Sequence, residues 1–111
     1  MRIGLLHPGE MGTAVASALN AGGHTVLWAS EGRSTTTTQR ARSAGLEDCG
    51  TTGELARRCK VIISICPPAA ALDVARGVPS FAGIYVDANA ISPAKSRAIE
   101  GQVDRYVDGS I

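Results

Sequence analysis

The sequence predicts an α/β fold: a doubly wound parallel sheet of about six strands with helices on both faces. Three observations carry that prediction. Short apolar runs alternate with stretches of helical spacing along the whole chain, and the connections between them are short. Apolar content is 44% with only Trp28, Phe81, Tyr85 and Tyr106 as aromatics, so the core must be built from Ala, Val, Ile and Leu, as where helices pack closely on a sheet. Thirteen glycines mark tight turns and close backbone approaches. At 111 residues the chain has the size of one domain, and no linker, internal repeat or second domain is visible.

The elements follow in order. Arg2–Leu6 is the first strand, apolar on both faces as a central parallel strand should be. Gly9–Asn20 is the first helix, with Met11, Val15, Ala18 and Leu19 expected to face the sheet and Gly22-Gly23 ending it. Thr25–Ala29 is the second strand, followed by a loop over Ser30–Ser34. Thr35–Thr38 are poor helix formers, yet a helix is expected from there to Ala44, closed by Gly45. Leu46–Cys49 is a short third strand. Thr51-Thr52-Gly53-Glu54 has the form of a capping box and starts a helix to Cys59. Val61–Ile65 is the fourth strand, ended by Cys66-Pro67-Pro68. Ala69–Val78 is a helix with Ala71, Leu72, Ala75 and Val78 on one side, and Pro79–Gly83 is a turn. Ile84–Ala88 is the fifth strand, Ser92-Pro93 opens a helix to Glu100, and Arg105–Val107 is the sixth strand.

Composition excludes several classes. Net charge is +1 with no basic block, so nucleic acid is not an expected partner. No apolar run approaches the roughly 20 residues of a membrane span, and the N-terminus enters a strand directly, which argues against a secretory signal. Cys49, Cys59 and Cys66 are odd in number and lack metal-ligand spacing, so they are read as reduced cysteines of a cytoplasmic protein with no metal site.

The most telling segment is the turn His7-Pro8-Gly9-Glu10-Met11-Gly12 between the first strand and first helix. The first amides of a helix have no internal partner and the helix dipole favours an anion, so such a corner suits a phosphate. In this position it reads as the phosphate turn of a Rossmann-type dinucleotide-binding domain. Of the glycines in G-x-G-x-x-G, the second and third are present as Gly9 and Gly12, while His7 stands in the first place. The tight turn must then be made another way, with Pro8 as one aid. A plain corner that needs glycine for shape is the competing reading.

The end of the second strand reports on the cofactor. An acidic residue there favours NAD, but Ser30 occupies the place, with Glu31, Arg33 and Ser34 following. Arginine with hydroxyls suits a 2′-phosphate, so NADP is expected and NAD is the second choice. Glu31 taking the ribose, or Arg33 as a plain surface residue, are the alternatives. Cys66, Pro67 and Pro68 fall on the carboxyl edge of the sheet, where the prolines fit a rigid wall beside the nicotinamide or simply end a strand. Asn89 falls at the corresponding edge of the fifth strand and offers donors and an acceptor where substrate would meet the nicotinamide. Capping and loop-holding roles for Asp87, Asn89 and Ser92 fit equally.

Together these motifs resemble the N-terminal cofactor-binding domain of the β-hydroxyacid dehydrogenase family, which includes 3-hydroxyisobutyrate dehydrogenase, 6-phosphogluconate dehydrogenase and the imine reductases. Ile3–Gly12 is similar to its I-G-F-I-G-L-G-x-M-G, Ala41–Gly45 to R-A-x-x-A-G, Val61–Pro67 to V-V-I-x-M-L-P, Asp87–Pro93 to D-x-S-T-x-S-P, and Tyr106–Ile111 to the opening of F-V-D-A-P-V-S-G-G. The resemblance implies that His7–Met11 cradle pyrophosphate, Arg33 and Ser34 the adenosine phosphate, and Cys66–Pro68 the nicotinamide ribose. Asn89-Ala90 departs from the family's Ser-Thr pair, so a different substrate, or none, is implied. The family's catalytic lysine and helical C-terminal domain find no counterpart in residues 1–111. The resemblance thus implies the cofactor domain of an enzyme that passes hydride between NADP(H) and a small hydroxyacid, carbonyl or imine, inactive by itself, with homodimer formation possible. A free-standing nucleotide-binding sensor or scaffold is the alternative, and a Rossmann-like fold that has lost binding is a third.

Overall fold

A computed structural model of the chain describes residues 1–78, 81–89, 91–103 and 105–109. Part of the turn expected at Pro79–Gly83, together with Ala90, Ser110 and Ile111 of the family-like motifs, lies outside the described residues. The elements run β1 (Arg2–Leu6), α1 (Glu10–Ala21), β2 (Thr25–Trp28), α2 (Thr35–Ser43), β3 (Glu47–Asp48), α3 (Thr52–Arg58), β4 (Val61–Ser64), a 3-10 turn (Pro68–Ala70), α4 (Ala71–Arg76), β5 (Ile84–Asp87), α5 (Pro93–Glu100) and β6 (Arg105–Asp108). Six parallel strands form one sheet in the order β3-β2-β1-β4-β5-β6. Strand order therefore reverses between β1 and β4. At such a switch point the carboxyl ends of the strands leave a crevice, and there the sheet can take a ligand.

Because side chains alternate along a strand, the two faces separate cleanly. Leu5, Val26, Trp28, Ile65 and Ala88 pack with Ala16 of α1 and Ala41 of α2. Leu6, Leu27, Ile62 and Tyr85 pack on the other face with Leu55 of α3, Ala71 and Ala75 of α4 and Ile99 of α5. Leu27, Leu55, Ile62 and Ile99 are fully buried, each contributing about 1.5–3 kcal/mol of burial. Gly4 lets α3 sit against β1, since a Cβ there would lie 2.9 Å from Leu55 Cγ. Over β4 to β6 the first face is thinner: Ile63 and Val86 are half-buried, and Val107, in register with Val86, is 46% exposed. Among the described residues no helix is long and apolar enough to cross a membrane.

Several expectations need correction. The inward face of α1 is Gly12 and Ala16, with Val15 and Leu19 half-buried beside them, whereas Met11 is 54% exposed and Ala18 is exposed. The helix lies so close to β1 that only the smallest side chains fit between, and larger ones are displaced to its flanks. The third strand is only Glu47–Asp48, Leu46 being buried just ahead of it. After β4 the paired prolines produce a 3-10 turn and a helix shorter than expected. The capping box at α3 is half made: Glu54 N–H donates to Thr51 Oγ1 at 3.1 Å, but the Glu54 carboxylate turns to Arg57 at 2.7 Å.

Candidate functional site

The phosphate turn leaves β1 at the switch point. His7 takes the left-handed conformation, φ 61°, which the first glycine of the fingerprint ordinarily supplies. Pro8 is buried, and the Gly9 N–H donates to the His7 carbonyl at 2.7 Å, which tightens the bend. Gly12 faces that same carbonyl: a Cβ there would stand 3.0 Å from its oxygen, so the third glycine admits the helix against the turn. Gly9 differs. A Cβ on it would meet only the His7 oxygen at 4.0 Å, so the space before the turn is open.

The start of α1, like that of α4, has no side-chain cap, unlike those of the other three helices. Ser34, Thr51 and Ser92 cap α2, α3 and α5 with side-chain oxygens, whereas Gly9 gives α1 no side-chain cap. The first helical turn is closed by Thr13 N–H to Gly9 C=O at 2.9 Å, and the amides of Glu10, Met11 and Gly12 precede that bond. An uncapped helix start facing open space has the donor set for a diphosphate. The residues present therefore fit the phosphates of a dinucleotide.

A cleft lies on each side of this turn. On the β2 side a cavity of about 150 Å³ is lined by Leu5, Leu6, His7, Ala29, Glu31, Arg33 and Thr52. His7 is half-buried there; burial, and then the Arg33 guanidinium, push its imidazole below the ordinary range. Arg33 is exposed, and Glu31 shares the cleft with it. Ser30 is half-buried at the end of β2, and its N–H donates to Asp48 Oδ1 at 3.3 Å. Asp48 also accepts from Gly50 N–H at 2.8 Å, and Glu31 N–H donates to the Gly50 carbonyl at 2.9 Å. Burial opposes the charge on Asp48, but these bonds from Ser30 and Gly50 outweigh it and hold the carboxyl below its usual value. Asp48 thus shapes the loop that presents Glu31 and Arg33. Sequence reading missed it, although Asp48-Cys49-Gly50 is a recognisable aspartate turn. The Ser34 hydroxyl accepts from Thr37 N–H at 3.1 Å as the cap of α2.

On the β4 side a cavity of about 260 Å³ is lined by Gly9, Glu10, Met11, Gly12, Ile65, Cys66 and Pro67. This brings two separately read motifs, the phosphate turn and the end of β4, to one place. Met11 is available here because it is not part of the core. Pro68 continues the wall and is exposed. Burial lifts the Cys66 thiol above its ordinary value, which keeps it protonated at neutral pH. Asn89 stands just past β5 but is only 4% exposed, with its amide turned into the molecule. A larger depression, about 470 Å³, lies away from both clefts, among Met1, Lys60, Phe81 and Arg105.

Solved structures share this architecture. A conserved protein of unknown function, described as structurally similar to 3-hydroxyacid dehydrogenases, matches with 34% identity and a TM-score of 0.85 over 96% of this chain and 41% of its own. A 3-hydroxyisobutyrate dehydrogenase from Mycobacterium tuberculosis matches with 20% identity and a TM-score of 0.74 over 95% of this chain and 38% of its own. An imine reductase from Streptomyces aurantiacus matches with 18% identity and a TM-score of 0.75 over 96% of this chain and 39% of its own. The last two likenesses establish the fold, which agrees with the resemblance read from the motifs. The chain spans about 40% of the length of these relatives. Curated proteins gave no match. Residues 2–91, from β1 past the end of β5, match the family described as NADP oxidoreductase, coenzyme F420-dependent; the chain belongs to that family of nicotinamide-cofactor-binding oxidoreductase domains.

Proposed function

We propose that this chain is the NADP(H)-binding part of a two-domain oxidoreductase that moves hydride between the nicotinamide and a small hydroxyacid, carbonyl or imine. One observation carries the reading: the uncapped start of α1 faces open space at Gly9, between a cleft holding Arg33 and a cleft walled by Cys66 and Pro67. In this reading the amides between His7 and Met11 take the pyrophosphate. Arg33 pairs with a 2′-phosphate, and Ser30 and Glu31 border the adenosine ribose. Cys66, Pro67 and Pro68 form the wall beside the nicotinamide ribose, and the exposed Met11 packs from the opposite side.

The nicotinamide, when bound, supplies the hydride chemistry. The chain's own task is to hold it at the carboxyl edge and keep water from one face. Proton transfer to or from substrate falls to groups outside residues 1–111. The family match favours this oxidoreductase reading over a cofactor sensor, and a small-molecule substrate and a cytoplasmic setting belong to it.

Titration of NADPH and NADH against the 111-residue chain, followed by nicotinamide fluorescence, tests the proposal. NADPH is expected to bind at least about tenfold tighter, about 1.4 kcal/mol, and Arg33→Ala to remove the difference. Equal affinities in the wild type overturn the Arg33 assignment, and binding of neither overturns the cofactor reading.

A further inference from the structure

Asn89 ties the end of β5 to the end of β4. Its own N–H donates to Asp87 Oδ1 at 2.9 Å. Its Oδ1 accepts the Cys66 N–H at 2.8 Å, and its Nδ2 donates to Ser64 Oγ at 3.3 Å and lies 3.5 Å from Cys66 Sγ. Ser64 and Asp87 are fully buried and paired in register, so this clamp stands on the rigid part of the sheet.

The clamp acts where the backbone has little else to hold it. Pro67 and Pro68 have no N–H, so the Cys66 amide is the last donor before the wall of the β4-side cleft turns outward. Beyond it, Lys95 of α5 donates from Nζ to the Pro68 carbonyl at 3.3 Å. The wall is thus held from behind by two residues that follow β5. Asn89 at 4% exposure has its amide committed to that task.

We infer that Asn89 is a positioning residue for the nicotinamide end of the cofactor: by fixing Cys66 and Pro67 it sets the gap between them and the start of α1, and it does so without touching substrate. The inference rests on the cofactor reading above. It makes Asn89 specific for one half of the ligand, because the adenosine half is held by the turn and Arg33 on the other side of β1.

The test compares NADPH with 2′-phospho-ADP-ribose, which lacks the nicotinamide, on the 111-residue chain and with no substrate present. Wild type binds both. Asn89→Ala is expected to weaken NADPH by about tenfold, the effect of losing one buried hydrogen-bond set, to leave the fragment unchanged, and to abolish the fluorescence gain of bound NADPH. Asn89→Asp, which keeps the acceptor for Cys66 N–H, recovers part of that loss. Lys95→Met gives the same selective pattern more weakly and serves if Asn89→Ala does not fold. Equal weakening of both ligands, or no change in NADPH binding, overturns the inference while leaving the cofactor reading intact. A wild type that binds neither ligand overturns both.

Discussion

Gly12 lies directly beneath the carbonyl of His7, and a Cβ at position 12 would stand 3.0 Å from that oxygen and 3.5 Å from Leu5 Cδ2. At Gly9 the nearest obstacle is the same oxygen at 4.0 Å. The two glycines therefore serve different ends, one packing and one access. Gly12→Ala is expected to destabilise the fold by about 1–3 kcal/mol, since backbone must move to admit the methyl group. Gly9→Ala is expected to change stability by less than about 1 kcal/mol yet to weaken NADPH by at least about tenfold. Urea unfolding with cofactor titration separates the two, and equal loss of stability in both variants refutes the division.

His7, with φ 61°, is the non-glycine residue that the described chain holds in the left-handed region. Relief of that conformation by His7→Gly is worth about 1 kcal/mol, offset by about 0.5–1 kcal/mol of added freedom in the unfolded chain. The variant should melt close to wild type. His7→Val should lose more than about 1 kcal/mol, because a β-branched side chain tolerates positive φ poorly. Thermal unfolding of the pair decides whether the turn or the imidazole matters to the fold.

How far these features were legible before the structure depends on their range. The strands and the switch point were legible because apolar runs and turn residues are local signals. The turn between β1 and α1 was legible despite His7, because its position between strand and helix did not depend on the missing glycine. The inward face of α1 was misread at Met11 and Ala18, since periodicity reports which face is apolar and not how closely two backbones approach. Asn89 was singled out and the aspartate turn at Asp48 is a local signal, but the distant partners of both were opaque for another reason. Asn89 reaches Cys66 across 23 residues and Asp48 reaches Ser30 across 18, and a side-chain bond between strand ends leaves no pattern in either segment.

Arg33 and Ser34 are neighbours with separable roles. Ser34 Oγ accepts the Thr37 N–H at 3.1 Å and caps α2, while Arg33 lines the β2-side cleft. Ser34→Ala is expected to cost about 1 kcal/mol of stability. Arg33→Ala should leave the melting temperature unchanged and act on NADPH affinity. Calorimetry of both variants with and without NADPH is the check, and an unchanged melting temperature for Ser34→Ala would refute the capping contribution of its hydroxyl.

The His7 imidazole gives the fold a pH dependence of known sign. Burial and Arg33 hold its folded pKa below the value of about 6.5 it has in the unfolded chain. The unfolded chain thus binds the proton more readily. The His7 contribution to stability is complete above about pH 6.5 and is lost as pH falls through the folded pKa. His7→Asn keeps a residue tolerant of positive φ and removes the titration. Stability of this variant should fall less steeply than that of wild type between about pH 7 and 5.5, and parallel slopes would show that His7 does not titrate in that window.

Among the described residues, Asp87 places a buried carboxylate oxygen without a hydrogen-bond partner in the sheet. It is fully buried in a row that pairs it with Ser64 on one side and Asp108 on the other. Its Oδ1 accepts the Asn89 N–H, while Oδ2 has no hydrogen-bond partner among the described residues. Burial raises the Asp87 pKa, and the negative charge of Asp108 works in the same direction. A carboxylic acid whose folded pKa is raised destabilises the fold progressively as pH rises above its unfolded value of about 3.9. Asp87→Asn keeps the acceptor for Asn89 and removes the charge. It should be more stable than wild type at neutral pH by about 1 kcal/mol or more, and the advantage should shrink as pH is lowered toward about 4. Melting curves across that range test the sign: a variant less stable than wild type at neutral pH would mean that the Asp87 charge is used, with Oδ2 serving a partner on the cofactor side of the sheet.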